Sequence, residues 1–401
     1  MADNNNDDAV DNIVEEDFFV ETEFDDMRTK IVRLSNDPKE MQFSVIVDRY
    51  GGLVPSSIFS CFGCRWRVTI CPSSTKGMVS VLLERCSEGR KLKIKYSLAF
   101  TKGDRRISRQ SVATFDGPFA VKGWYQFCSH DEIVGKGRDN FCFLNKRGSC
   151  TIHVILQLDE FIPKNPASPF MLKLFNDENS ADIVFDIRDK YRATTSVLHH
   201  VHRLILQHYS PELSDLCTTS DGTSPIIITD VKPKVFRHLL YYIYGGEISY
   251  EDFFGLEKEL INAADKYGVT NLKLEAEVWY VHNKEIKVDN VIDNLLYAEA
   301  KNCALLKEAV MDFIVENKEI VIQQVSFQDV PDFYKDLLAA MSRHDKEKES
   351  SSNHDTEYYE RDDEKSYSQM RIRNLREKLH ALGLDIDGSR ETLVARLMEN
   401  S

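Results

Sequence analysis

Residues 91–100 read Lys-Leu-Lys-Ile-Lys-Tyr-Ser-Leu-Ala-Phe. Leu92, Ile94, Tyr96 and Leu98 alternate with Lys91, Lys93, Lys95 and Ser97. Successive side chains of a strand point to opposite faces, so this run buries one face and wets the other. The same period recurs on both sides. Trp66, Val68 and Ile70 alternate with Arg65, Arg67 and Thr69, and Ile152, Val154, Leu156 and Leu158 alternate with Thr151, His153, Ile155 and Gln157. Glycine-containing turn signals separate the runs at 73–77, 88–89, 102–104 and 135–137. Short strands at this spacing predict an antiparallel β-sandwich over residues 41–160.

C-terminal to the sandwich, three prolines within residues 161–170 predict a stiff, non-helical connector. The period then changes. Strands are expected at 183–188 and 226–229, and helices at 201–208, 235–243, 256–266 and 272–282. Ile292, Leu295 and Leu296, then Leu306, Ala309, Val310 and Phe313, recur three and four apart, which predicts a helix pair at 291–300 and 305–315. Residues 171–285 form the mixed domain, and 286–341 its helical extension. Residues 342–368 hold almost no aliphatic side chains and are expected to be a charged, flexible tether. Residues 369–401 turn regular again. Ile372, Leu375, Leu379 and Leu382 make one helical stripe, Gly383 ends it, and Leu393, Val394 and Leu397 make a second.

The first 40 residues carry no Lys or Arg before Arg28 while acidic residues recur, which predicts a solvated tail or an acidic lure for a basic partner. The chain of 401 residues has 42% hydrophobic and 29% charged residues, an ordinary soluble composition with room for about two to four domains. A net charge of −14 excludes a general polyanion binder, so any nucleic-acid contact has to be local. No apolar run is long enough to span a membrane, and the start lacks a signal-peptide pattern. Nine scattered cysteines fit a reducing compartment.

Catalytic signatures are missing: no Gly-rich phosphate loop, no G-x-S-x-G and no H-E-x-x-H. Cys61-Phe-Gly-Cys64, with Cys71 nearby, is either part of a zinc site or a set of structural thiols; a matching fourth ligand is not evident. His199, His200, His202 and His208 crowd one region, as metal ligands or as ordinary histidines at a helix start. The expectation is a binding module, not an enzyme, with no cofactor and no metal.

Several segments resemble known families. Ser57-Ile-Phe-Ser-Cys-Phe-Gly-Cys-Arg-Trp-Arg-Val-Thr-Ile-Cys-Pro72, followed by residues 79–83, 91–100, 123–127 and 152–158, resembles the MATH (TRAF-like) sandwich, which binds short extended peptides in a shallow groove. Ser180-Ala-Asp-Ile-Val-Phe185, His202-Arg-Leu-Ile-Leu206, Ser210-Pro-Glu-Leu213, residues 228–236 and 240–246, and Ala263-Ala-Asp-Lys-Tyr-Gly268 resemble a BTB (POZ) domain. Residues 289–340 resemble a BACK extension. Met370 to Leu384, Gly388 and Leu393-Val-Ala-Arg-Leu397 resemble a SAP motif, a DNA-binding helical hairpin. The resulting fold class is multidomain: sandwich, α/β BTB domain with α-helical BACK extension, and C-terminal hairpin.

A MATH–BTB–BACK order is similar to that of the speckle-type POZ family, which implies a homodimeric substrate adaptor for a cullin-3 type ubiquitin ligase. A dimeric chromatin scaffold or transcriptional regulator without ligase function is the alternative. By resemblance, the substrate-peptide groove falls on Leu82, Ile94, Phe115, Lys122 and Trp124. Lys122 suggests an acidic ligand, or is simply a solvated lysine. The dimer interface falls on Met171, Leu172, Leu174, Phe175 and Asp182. Cullin docking falls on Leu213, Leu216, Tyr242 and Tyr244, although Thr218 to Pro225 lacks the family's apolar-x-Glu element. DNA phosphates would meet Arg371, Arg373, Arg376, Lys378 and Arg390. Six basic against five acidic residues from 370 to 401 make that binding weak unless a dimer adds avidity, and a protein-binding hairpin remains the other reading. Expected partners are the cullin scaffold, substrate proteins with short linear motifs, and DNA, with no membrane. The SAP resemblance implies a nuclear location, with the cytoplasm also open.

Overall fold

The structure, a computed structural model, describes residues 29–34, 40–47, 50–74, 77–87, 92–137, 139–188, 196–218, 224–324, 333–352 and 364–400. The acidic segment 1–28 and the tether residues 353–363 lie outside the described residues.

Among the described residues, ten strands and one short helix build the first domain: β1 (Thr29–Arg33), β2 (Glu40–Val47), β3 (Val54–Pro55), β4 (Phe59–Cys61), β5 (Cys64–Ser74), β6 (Met78–Arg85), β7 (Leu92–Lys102), β8 (Arg105–Phe115), β9 (Val121–Ser129), α1 (His130–Val134) and β10 (Cys150–Leu158). One sheet runs β1-β2-β10-β7-β8 and the other β3-β5-β6-β9, with β4 on β5. All pairings in both are antiparallel. The inward residues are those the alternation picks out: Ile94, Leu98, Trp66, Val68, Ile152 and Val154 are fully buried. Trp66 meets Phe115 edge-on at 5.0 Å and donates its indole N–H to the Cys61 carbonyl at 2.9 Å. One expectation fails at the start of the domain. β1 lies within the expected acidic tail, because Thr29 to Arg33 pair in register with Val47 to Phe43 and extend the sheet.

The connector 161–168 forms no helix or strand and is pinned to the next domain. The Asn165 side-chain amide donates to the carbonyls of Tyr242 (2.8 Å) and Gly246 (3.0 Å), and that of Asn271 to Lys164 (2.9 Å). Gly245, at φ +88, lets the connector pass: a Cβ there would sit 2.4 Å from the Ser168 carbonyl oxygen. The β4–β5 turn also reaches across. Phe62 is buried with its ring 6.1 Å from that of Trp279.

The second domain begins with a 3-10 helix, Pro169–Leu174. It continues as β11 (Ile183–Arg188), β12 (Ser196–Val201), α2 (Arg203–Tyr209), α3 (Pro211–Thr218), β13 (Ile226–Ile228), α4 (Pro233–Ile243), α5 (Tyr250–Phe253), α6 (Glu257–Lys266) and α7 (Thr270–Asn283). β11 pairs antiparallel with β12 and parallel with β13. The extension is α8 (Val291–Ala300), α9 (Ala304–Glu316), α10 (Lys318–Gln324) and α11 (Phe333–Ser352). α11 is a second departure. It carries helix ten residues or so into the stretch expected to be a flexible tether, where Arg343 is buried. α12 (Glu364–Gln369), α13 (Ile372–Ala381) and α14 (Arg390–Glu399) close the chain, with Ile372, Leu375, Leu379, Leu393 and Leu397 in their shared core.

Candidate functional site

Among the described residues, β8 and β9 are the outer strands of the two sheets, each with one edge that no described strand pairs. Arg109 spans them: its Nε donates to the Phe127 carbonyl at 2.8 Å and its guanidinium lies over the Phe127 ring. Trp124, half-buried, packs on Tyr96 at 5.4 Å and on Phe127 at 5.7 Å. Lys122 is exposed two residues earlier, on the same face of β9. Gly123 between them, at φ +144, keeps β9 close to β6; a Cβ would meet the Val81 carbonyl oxygen at 2.4 Å. Leu82 is opposite Gly123 in register, on the face of β6 turned away from fully buried Val81 and Leu83.

The structure therefore brings together only Lys122 and Trp124 of the five expected groove residues. Ile94 and Phe115 are fully buried in the sandwich core, where no ligand reaches, because both point inward. The sequence reading missed Phe119, exposed with φ +62 in the β8–β9 loop, and the exposed Tyr125 and Val112. The turn signal Asp116-Gly117-Pro118 was the available pointer to Phe119.

On the second domain, the 3-10 helix turns Phe170 (78% exposed) and Leu174 (37%) to solvent. Met171 and Leu172 are half-buried, and Phe175 faces inward, edge-on to Tyr241 (5.5 Å) and Tyr244 (5.8 Å). Asp182 is exposed, and its carboxylate accepts from the N–H of Arg203, the first residue of α2, at 2.8 Å. Leu204 on α2 is exposed as well.

Three of the four expected cullin contacts are corrected. Leu213, Tyr242 and Tyr244 are buried; Tyr244 spends its hydroxyl accepting from the His202 N–H at 2.9 Å. Leu216 alone is solvent-facing, at 42%. Residues 219–223 of the altered loop lie outside the described residues.

Among the described residues, no group of three or more His, Cys, Asp or Glu is placed to hold a metal ion. Cys61 and Cys64 face each other in register, and neither is in a disulfide. His199 is buried, and desolvation lowers its pKa to about 4, so it is neutral.

The hairpin α13–α14 gives the largest surprise. Four of its five expected phosphate contacts are ion-paired within the chain. Arg376, 1% exposed on its side chain, holds Glu277 of α7 at 2.7 Å. The other oxygen of Glu277 accepts the N–H groups of Leu305 (2.8 Å) and Leu306 (3.1 Å), capping α9. Arg373 pairs with Asp159, just after β10, and with Glu377 at 3.0 Å. Arg371 pairs with Asp312, and Arg390 with Glu308, both on α9. Glu308 also accepts from the Ile372 N–H (3.2 Å), the start of α13, where a carboxylate complements the helix dipole. Burial pushes the Glu308 carboxyl up, against the pull of Arg390 and Arg371. Lys273 of α7, buried, bridges Asp265 (2.9 Å) and Asp387 (2.8 Å) of the hairpin. Lys378 is exposed.

Comparison with known proteins agrees with this organisation. A BTB/POZ domain model matches residues 171–299 and a SAP domain model residues 366–400. Over 338 residues the chain is 25% identical to BTB/POZ and MATH domain-containing protein 4 of Arabidopsis thaliana, covering 73% of this chain and 70% of that protein. Protein 6 of the same series is 23% identical over 343 residues, covering 74% and 79%. TD and POZ domain-containing protein 1-like of Mus musculus is 28% identical over 116 residues, covering 29% and 31%. The strand-rich first domain fits a MATH domain.

Proposed function

We propose, from a chain that joins a MATH-type sandwich to a BTB/POZ domain and a SAP domain, that the protein is a homodimeric substrate adaptor of a cullin-3 type ubiquitin ligase. The observation that carries the reading is a pair of large apolar side chains left in solvent on the 3-10 helix that opens the BTB domain, Phe170 and Leu174, with Leu204 exposed on α2. Large apolar side chains left in solvent close together mark candidate interfaces. The dimer forms there, and the cullin docks beside Leu216 and the loop after α3.

Substrate peptides bind along the open β8–β9 edge, over Trp124 and Lys122. Residues 41–160 hold 18 basic against 10 acidic residues, in a chain that is acidic overall, so the preferred peptide carries carboxylates or phosphates. Two grooves per dimer raise the effective concentration of multivalent substrates near the ligase. The hairpin tethers the dimer at DNA once its arginines are released, which places the protein in the nucleus.

Reconstitution tests the reading. The full chain with cullin-3, its RING partner and ubiquitin-activating and -conjugating enzymes should acquire ubiquitin on its own lysines, as a docked adaptor does without substrate. Modification that does not depend on the cullin, or none at all, overturns it. A dimeric chromatin scaffold is the second reading. It is favoured by the burial of Leu213, Tyr242 and Tyr244, which leaves a small docking face.

A further inference from the structure

We propose that Asp159, Glu277, Glu308 and Asp312 form an acidic socket for the arginine face of the SAP hairpin, and that duplex DNA has to displace the hairpin to bind it. The hairpin is then a releasable clamp across the other domains. The DNA half of this inference rests on the function proposed above; the socket does not.

The socket gathers carboxylates from three parts of the chain. Asp159 ends the sandwich, Glu277 lies on α7, and Glu308 and Asp312 lie one turn apart on α9. Each takes an arginine: Arg373, Arg376, Arg390 and Arg371 respectively. Apolar contact backs the charges, with Phe161 of the connector 5.4 Å from the His380 ring. Cys303 and Gly388 add a backbone bridge beside α9.

The complementarity excludes a second use at the same time. An arginine that neutralises a phosphate needs its guanidinium in solvent, and Arg376 has none of its surface to offer while docked. Asp159 and Glu308 would also repel a phosphate backbone. Apparent affinity scales with the competent fraction, so a hairpin docked ~99% of the time binds duplex roughly 100-fold more weakly than a free one.

The test uses the full chain, wild type and Glu308→Gln/Asp312→Asn, with Asp159→Asn as a second variant. Hydrogen exchange over α9 and residues 370–400 reads docking, and fluorescence anisotropy with a 20-base-pair A/T-rich duplex reads binding. Both variants should exchange faster in α13 and α9 and bind the duplex at least about tenfold tighter. Saturating duplex should deprotect α9 in the wild type. Unchanged exchange in both variants overturns the socket, whatever the DNA does. Faster exchange with no duplex binding by any of the three proteins overturns the DNA reading and leaves the socket as a domain clamp. Equal duplex affinity with faster exchange overturns the competition.

Discussion

Replacing Arg376 with methionine probes the most deeply buried charge pair in the described structure. Arg376 and Glu277 both have side chains 1% exposed, and their N–O distance is 2.7 Å. Removing one partner of such a pair leaves the other as an uncompensated buried charge, at a cost of about 3–5 kcal/mol. Two features place the effect at the lower end. Methionine keeps much of the arginine stem, so little cavity opens. Glu277 also retains the N–H groups of Leu305 and Leu306. A loss of about 3 kcal/mol makes the amides of α13 exchange roughly 100-fold faster, if they exchange through hairpin release.

Hydrogen exchange read by mass spectrometry on the full chain follows this directly, without assuming that a multidomain chain unfolds in one step. Glu277→Gln/Arg376→Met removes both charges while leaving an acceptor for the α9 cap. It should be less damaging than the two single changes added together, with a coupling of about 0.5–3 kcal/mol. If Arg376→Met changes exchange in α13 by less than about twofold, the hairpin is not held by this pair and the docked arrangement is wrong.

Burial, reinforced by Glu308, raises the Glu160 carboxyl from 4.5 to about 7. Between those values the folded chain keeps a proton on Glu160 that the unfolded chain has lost, so the contribution of this carboxyl to stability falls as pH rises from 5 to 7 and levels off above, while neutral His199 contributes in the opposite direction. Glu160→Gln should remove that falling contribution, so that between pH 5 and 7 stability in urea denaturation falls less, or rises more, than in the wild type; the same pH dependence in both would refute the raised carboxyl. Trp124→Ala and Lys122→Glu should each weaken capture from an immobilised acidic-peptide library while leaving far-ultraviolet circular dichroism unchanged; retention of the same peptides by both would move the groove off β9. Gly123→Ala should lower the melting temperature of the sandwich, since its Cβ would fall 2.4 Å from the Val81 carbonyl oxygen and strain a φ of +144. A wild-type melting curve would show that β9 can draw back from β6.

What could be read from the sequence follows the range of the interactions concerned. Alternation at 91–100 or 152–158 reports burial on one strand, and the strands and core followed it closely. The SAP arginines were visible as a cluster, but their destinations were not. Arg376 meets a carboxylate 99 residues away, Arg371 one 59 residues away, and Arg373 reaches Asp159 across 214. No local pattern encodes such pairs. Leu213, Tyr242 and Tyr244 failed for a related reason: residues on covered helices look the same in sequence whether they line a docking face or a core. The tether expectation failed over α11 because Lys, Glu and Arg are good helix formers and need little burial to extend a helix already anchored at Phe333 and Ala340.

Adaptor function requires that the cullin contact survive the altered loop after α3 and the small exposed patch at Leu216. Isothermal titration of the full chain with the N-terminal domain of cullin-3 measures it, with Leu216→Asp as the control. Binding at micromolar affinity or tighter, about −8 kcal/mol, and lost in Leu216→Asp, is the expected result. The absence of heat and of any complex by sedimentation, from a folded chain of 401 residues, would contradict the ligase role.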